Sequence, residues 1–177
     1  PADRIVKLVL TRGPGGRGYR PPPTPRGQLY LSVHPPAPAP PLQEGGLSVR
    51  LCRTRLGNSP ALAGMKHLNR LEQVIASAEL GPGEAEGLMC DVDDRLVEGT
   101  RMNLFLVCDG VLVTPALDRA GVAGVLRQWL LDWCAASGLA VRVAPVPLAR
   151  LAEADELFLC NSAVGAWPVV AVRGGTT

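Results

Sequence analysis

The sequence has 177 residues, of which 47% are apolar and 19% charged, and its formal net charge is +2. That is long enough for one domain and part of another, with an ordinary core. The dispersed basic residues exclude the footprint of a nucleic-acid or anionic-membrane binder, and no stretch reads as a membrane span or a cleavable leader.

Residues 5–10, Ile-Val-Lys-Leu-Val-Leu, alternate and are rich in β-branched side chains, which predicts a strand. The glycine cluster 13–18 is a turn rather than a dinucleotide loop, because no helical pattern follows it. Residues 28–33 read as the returning strand. The stretch 34–46 is dense in proline, which neither donates to a ladder nor continues a helix, and is expected to be an interdomain linker. The chain therefore divides into 1–33, the end of a small N-terminal domain, the linker 34–46, and a large domain 47–177.

In the large domain, residues 47–52 predict a strand and 57–65 a loop. Leu68, Leu71, Ile75 and Ala78 recur at helical spacing, so a helix is expected over 67–80, stopped by Gly81-Pro82-Gly83. Short strands follow at 85–91, 96–98, 103–108 and 111–114, the last two joined by an Asp109-Gly110 hairpin turn. Val122, Val125, Leu126, Trp129, Leu130 and Trp133 form the apolar stripe of a second helix ending at Gly138. Trp129, Trp133 and Trp167 are expected in the core. A strand at 139–144, a helical turn at 147–152 and a strand at 157–160 complete the pattern. Many short strands beside only two long helices predict an α+β fold.

Five cysteines, Cys52, Cys90, Cys108, Cys134 and Cys160, lie in apolar contexts with no C-x-x-C pair. They read as buried free thiols in a reducing cytoplasm, and with only His34 and His67 to add to them no metal site is expected.

Lys66 follows a loop and opens the first expected helix. An amine in partly apolar surroundings has a lowered pKa and can form a Schiff base with a carbonyl compound, although a lysine at a helix start is also an ordinary solvated charge. Glu98 sits in a Glu-Gly-Thr turn, where it could equally be a surface acid. Residues 120–124, Ala-Gly-Val-Ala-Gly, open the second helix, where unpaired N–H groups and the helix dipole favour an anion. Asn161 and Ser162 end a strand and offer further donors, and for both segments capping or turn formation is the simpler reading.

Lys66-His67-Leu68-Asn69-Arg70-Leu71-Glu72-Gln73-Val74, with Val97-Glu98-Gly99-Thr100 and Asn103-Leu104-Phe105 downstream, resembles the fold-type IV pyridoxal-phosphate enzymes. That superfamily holds the branched-chain and D-amino-acid aminotransferases. Within it the string at 66–74 is most similar to the aminodeoxychorismate lyases, which make p-aminobenzoate and pyruvate on the folate route.

The resemblance implies a D-amino-acid aminotransferase-like fold, a pyridoxal 5′-phosphate cofactor, a small-molecule substrate and a homodimer. It implies Lys66 as the Schiff-base lysine and Glu98 as the partner of the pyridine nitrogen. It also implies phosphate contacts from Val122, Ala123, Asn161 and Ser162. Arg17, Tyr19 and Arg20 in the glycine-rich turn are candidates for the substrate's carboxylates. Set against that superfamily, the chain lacks most of the small domain and stops short at Gly174-Gly175-Thr176-Thr177, so it is expected to be a fragment. An aminotransferase of the same fold, or a non-catalytic remnant, is the alternative.

Overall fold

The computed structural model describes residues 3–36, 42–43 and 45–174, and shows two units, Pro1–Pro38 and Ala39–Thr177. Residues 37–41 and 44 of the expected linker, and the last three residues of the chain, lie outside the described set.

In the first unit the two expected strands form β1 (Ile5–Thr11) and β2 (Gln28–His34), paired antiparallel from Ile5↔His34 to Thr11↔Gln28. Gly13 lets the connection leave β1 at φ +85°, where a Cβ would stand 1.9 Å from the Arg26 carbonyl oxygen. None of the described residues of this unit is buried. A lone two-stranded ribbon is marginal in water, so its folding depends on cover.

The second unit is built on one mixed sheet. Its strands are β3 (Leu42–Gln43), β4 (Gly46–Leu56), β5 (Glu86–Asp91), β6 (Arg95–Gly99), β7 (Asn103–Cys108), β8 (Val111–Pro115), β9 (Val141–Ala144), β10 (Val146–Pro147), β11 (Glu156–Asn161) and β12 (Gly165–Arg173). The order is β10-β6-β5-β4-β12-β11-β7-β8-β9, with β3 paired to β4. The β4–β5, β4–β12 and β8–β9 pairs are parallel and the rest antiparallel. Two helices, α1 (Leu71–Ser77) and α2 (Val125–Ala136), and a short 3-10 turn at Leu148–Glu153 accompany it. The α+β expectation holds.

The pleat sorts the core. Along β5, Leu88 and Cys90 join Leu47, Val49, Leu96, Leu104 and Leu159 in the main cluster. Met89, pointing the other way, joins Cys52, Leu56, Ala76 and Val97 in a smaller one under α1. All five cysteines are free and buried, as expected. The Asp109-Gly110 turn has both residues at positive φ, 51° and 72°, as a type I′ hairpin requires.

Three expectations fail. The first helix starts at Leu71, not 67: residues 67–70 form a non-helical approach and Arg70 is the N-cap at φ −131°. Its buried residues are Gln73 and Ala76, while Leu68, Leu71, Val74 and Ile75 are each more than half exposed. Helical spacing marks an apolar row, but the side of the helix packed against Cys52 and Met89 is that of Ala76, with Gln73 also buried. Likewise α2 buries Arg127 and Cys134, and Trp129 and Trp133 stand about half exposed rather than in the core. Finally, β12 has no counterpart among the expected strands, although it runs through the middle of the sheet; its Pro168 interrupts the strand pattern.

No helix among the described residues is long and apolar enough to cross a membrane.

Candidate active site

Strand β4 leaves the sheet at Leu56, and the loop that follows is stitched down along its length. The Gly57 N–H donates to Glu72 Oε1 (2.9 Å), and the Ser59 N–H to the Arg119 carbonyl (2.7 Å). Gly64, at φ +77°, donates to the Gly121 carbonyl and accepts from the Ala123 N–H, both at 2.9 Å. The segment carrying Lys66 is therefore locked to the segment that leads into α2. Lys66 itself is exposed and makes no hydrogen bond among the described residues.

Glu98 comes from the end of β6, paired with Met89, and is 4% exposed. Burial pushes its carboxyl from the ordinary 4.5 up to about 7. The Val122 N–H, which donates to Oε2 at 2.8 Å, the charges of Arg70 and Lys66, and the Gln73 side chain all pull the other way. The close approach of Val122 depends on Gly121, at φ +86°. A Cβ there would meet Leu117 Cδ2 and Val97 Cγ1 at 2.7 Å, and Glu98 Oε2 at 3.4 Å. Gly121→Ala is accordingly expected to cost about 3 kcal/mol in urea unfolding, from left-handed strain plus overpacking. A loss below about 1 kcal/mol would mean that the loop relaxes freely.

The turn after Glu98 is fixed from beneath. Glu86, fully buried on β5, accepts the N–H groups of Gly87 (3.0 Å) and Thr100 (2.8 Å), the Thr100 hydroxyl, and Arg101 Nε (3.2 Å). Asn103 Nδ2 donates to the Val122 carbonyl (2.7 Å), and a Cβ on Gly124 would lie 2.1 Å from Asn103 Oδ1. Only glycine lets α2 begin so close to this amide. Arg127 anchors the helix from below, donating to Thr114 Oγ1 (3.1 Å) and the Pro115 carbonyl (2.9 Å).

These elements enclose a cavity of about 560 Å³, whose lining includes Lys66, Arg70, Glu98, Asn103, Val125 and Ser162. That volume is within the range of small-molecule sites. Val122, Ala123 and Asn161 also reach it, with hydrogen-bond partners of their own. The Val122 and Ala123 N–H groups are taken by Glu98 and Gly64. The groups left without an intrahelical acceptor are the first N–H groups of α2 itself, beginning at Val125, and no side chain caps them. The anion-favouring end of the helix is thus three residues further on. The Asn161 side chain is likewise engaged: its Oδ1 accepts the Ala163 and Val164 N–H groups at 2.9 Å, shaping the β11–β12 turn. Ser162 is exposed on the rim.

Arg17, Tyr19 and Arg20 are exposed residues of the first unit, and the cavity lining comes from the second. Arg70, Gln73 and Asn103 are not among the site residues expected from sequence. The signal for all three is present, since each lies inside a motif quoted for the resemblance.

Comparison with known proteins gives a consistent picture. The family model for class IV amino-transferases matches residues 2–172. The aminodeoxychorismate lyase of Vibrio harveyi is 42% identical over 166 residues, 93% of this chain and 61% of that protein. A crystal structure of 4-amino-4-deoxychorismate lyase from Pseudomonas aeruginosa superposes with TM-score 0.88 at 49% identity, over 97% of this chain and 64% of that one. The branched-chain amino acid aminotransferase of T.th., solved with pyridoxamine 5′-phosphate, has TM-score 0.80 over 96% of this chain and 57% of its own; at 21% identity it shows the shared fold. The chain spans about three-fifths of the length of the curated relatives it matches most fully.

Proposed function

The chain belongs to the class IV amino-transferase family, and from that premise we propose that it acts as a pyridoxal 5′-phosphate-dependent carbon–oxygen lyase. The substrate in this reading is 4-amino-4-deoxychorismate and the products are p-aminobenzoate and pyruvate. The observation that carries it is one cavity walled by a lysine, a deeply buried carboxylate and an uncapped helix N-terminus.

The residues present fit the cofactor. Glu98, whose carboxyl burial raises to about 7, would as a carboxylate hold the proton of the cofactor's ring nitrogen. The first N–H groups of α2 and the Ser162 hydroxyl suit a phosphate, and Lys66 suits an aldehyde. When bound, pyridoxal phosphate supplies a carbonyl for the substrate amine and an electron-withdrawing ring. Lys66 Nζ takes the proton from the substrate ring carbon that bears the amine. Glu98 keeps the proton on the cofactor's ring nitrogen. The elements that stitch down the loop before Lys66 would limit the movement of the base, and aromatisation favours loss of the enolpyruvyl group.

A homodimer in the cytoplasm completes the proposal. The dimer's support is the outward row Leu68, Leu71, Val74 and Ile75 and the half-exposed Trp129 and Trp133, apolar surface of the kind that contacts between copies cover.

The test is incubation with pyridoxal phosphate and aminodeoxychorismate, without any keto acid, measuring p-aminobenzoate by fluorescence and pyruvate with lactate dehydrogenase. Equal amounts of the two are expected. Amino-group transfer that requires a keto acid would assign an aminotransferase instead, and no turnover of either kind would overturn the enzymatic reading.

A further inference from the structure

Arg70 lines the same cavity as Lys66 and Glu98, and its backbone and side chain do different things. Its carbonyl accepts the Val74 N–H at 3.0 Å, so the Cα is fixed at the first turn of α1. Its guanidinium folds back along the chain. Nη2 donates to the Met65 carbonyl at 2.8 Å and Nε to the His67 carbonyl at 3.1 Å. Those are the residues immediately before and after Lys66, so one planar group grips the backbone on both sides of it.

The same residue lines the large cavity and a second one of about 200 Å³ behind it, formed with His67, Asn69 and Gln73. From there its charge faces Glu98. Lys66 is the other charged group acting on that carboxylate, and the Val122 N–H and the Gln73 side chain are its hydrogen-bond donors.

We infer that Arg70 is a positioning residue, whose fork sets the Lys66 turn and whose charge stands in the cavity it shares with the Glu98 carboxyl. The inference rests on the roles given to Lys66 and Glu98 above. Its content is that the two effects are separable. A lysine retains the charge but, as a flexible point donor, cannot span two carbonyls, whereas methionine retains neither property.

The experiment compares Arg70→Lys and Arg70→Met with the wild-type full chain, free of cofactor, by amide hydrogen exchange across 65–68 and by carboxylate NMR titration of Glu98. Exchange is expected to quicken about tenfold in both variants as the turn opens locally. The Glu98 midpoint is expected to stay in place in Arg70→Lys and to rise by about one pH unit in Arg70→Met. Wild-type exchange in Arg70→Lys, or an unmoved midpoint in Arg70→Met, would overturn the inference. If Arg70→Met does not fold, Arg70→Lys still decides, because only loss of the fork can quicken its exchange with the midpoint unchanged. Borohydride reduction of the wild type with pyridoxal phosphate keeps the two readings apart. No adduct at Lys66 would sink the proposed function, while the cofactor-free measurements would still judge Arg70.

Discussion

Lys66→Ala is expected to reduce turnover in the proposed lyase reaction by about 10⁴-fold or more, because in that reading it removes both the amine that carries the aldehyde and the base that takes the substrate proton. Borohydride reduction after incubation with pyridoxal phosphate should leave a stable adduct on the peptide containing Lys66 in the wild type and none in the variant. Stability should hardly change, within about 0.5 kcal/mol, since Lys66 is exposed and has no hydrogen bond among the described residues to lose. A small soluble amine such as methylamine should restore part of the turnover, as it can stand in for the missing base. Loss of activity accompanied by a large drop in melting temperature would instead make Lys66 a structural residue. An adduct that persists in Lys66→Ala would move the aldehyde-binding role to another amine.

The sequence made the strands easier to read than the helix packing. Lys66 and Glu98, which the resemblance singles out, come from separate motifs to the wall of one cavity. The strands followed from alternation, and the Asp109-Gly110 turn from the φ values that its residues tolerate. Helix faces were harder. An amphipathic stripe announces that a surface will be covered, without saying whether the cover is the chain's own sheet. In α1 the sheet receives Gln73 and Ala76, and the apolar row points away. The backbone donors before α2 were hard to read for a related reason. Glycines at 121 and 124 both suggest backbone approaching a ligand, yet Gly121 brings Val122 to Glu98, and only Gly124 stands at the start of the helix. Distinguishing them requires knowing which carboxylate lies beneath the loop, a long-range contact that local pattern does not encode.

Glu98→Gln should separate stability from function, with effects of opposite sign. In the cofactor-free chain the native state binds the Glu98 proton more tightly than the unfolded state does, since burial raises the group from 4.5 to about 7. The corresponding stability is fully present below the unfolded value and is lost as pH rises through about 7. Glutamine does not titrate, so the variant should gain about 3 kcal/mol on the wild type between pH 4.5 and pH 8, or roughly 10 °C in melting temperature. The amide can be accommodated: its oxygen can accept the Val122 N–H, and Gln73 Oε1, which has no hydrogen-bond partner among the described residues of the wild type, can take the new N–H₂. With pyridoxal phosphate the order should reverse. A neutral amide cannot hold the proton on the ring nitrogen, so kcat/KM should fall by about 10²–10³-fold, and the cofactor should protect the variant from unfolding less than it protects the wild type. Paired melts at pH 5 and pH 8, with and without cofactor, decide the matter. A stability difference that does not change with pH would show that Glu98 is ionised in the empty site. Undiminished turnover in the glutamine variant would remove Glu98 from the chemistry altogether.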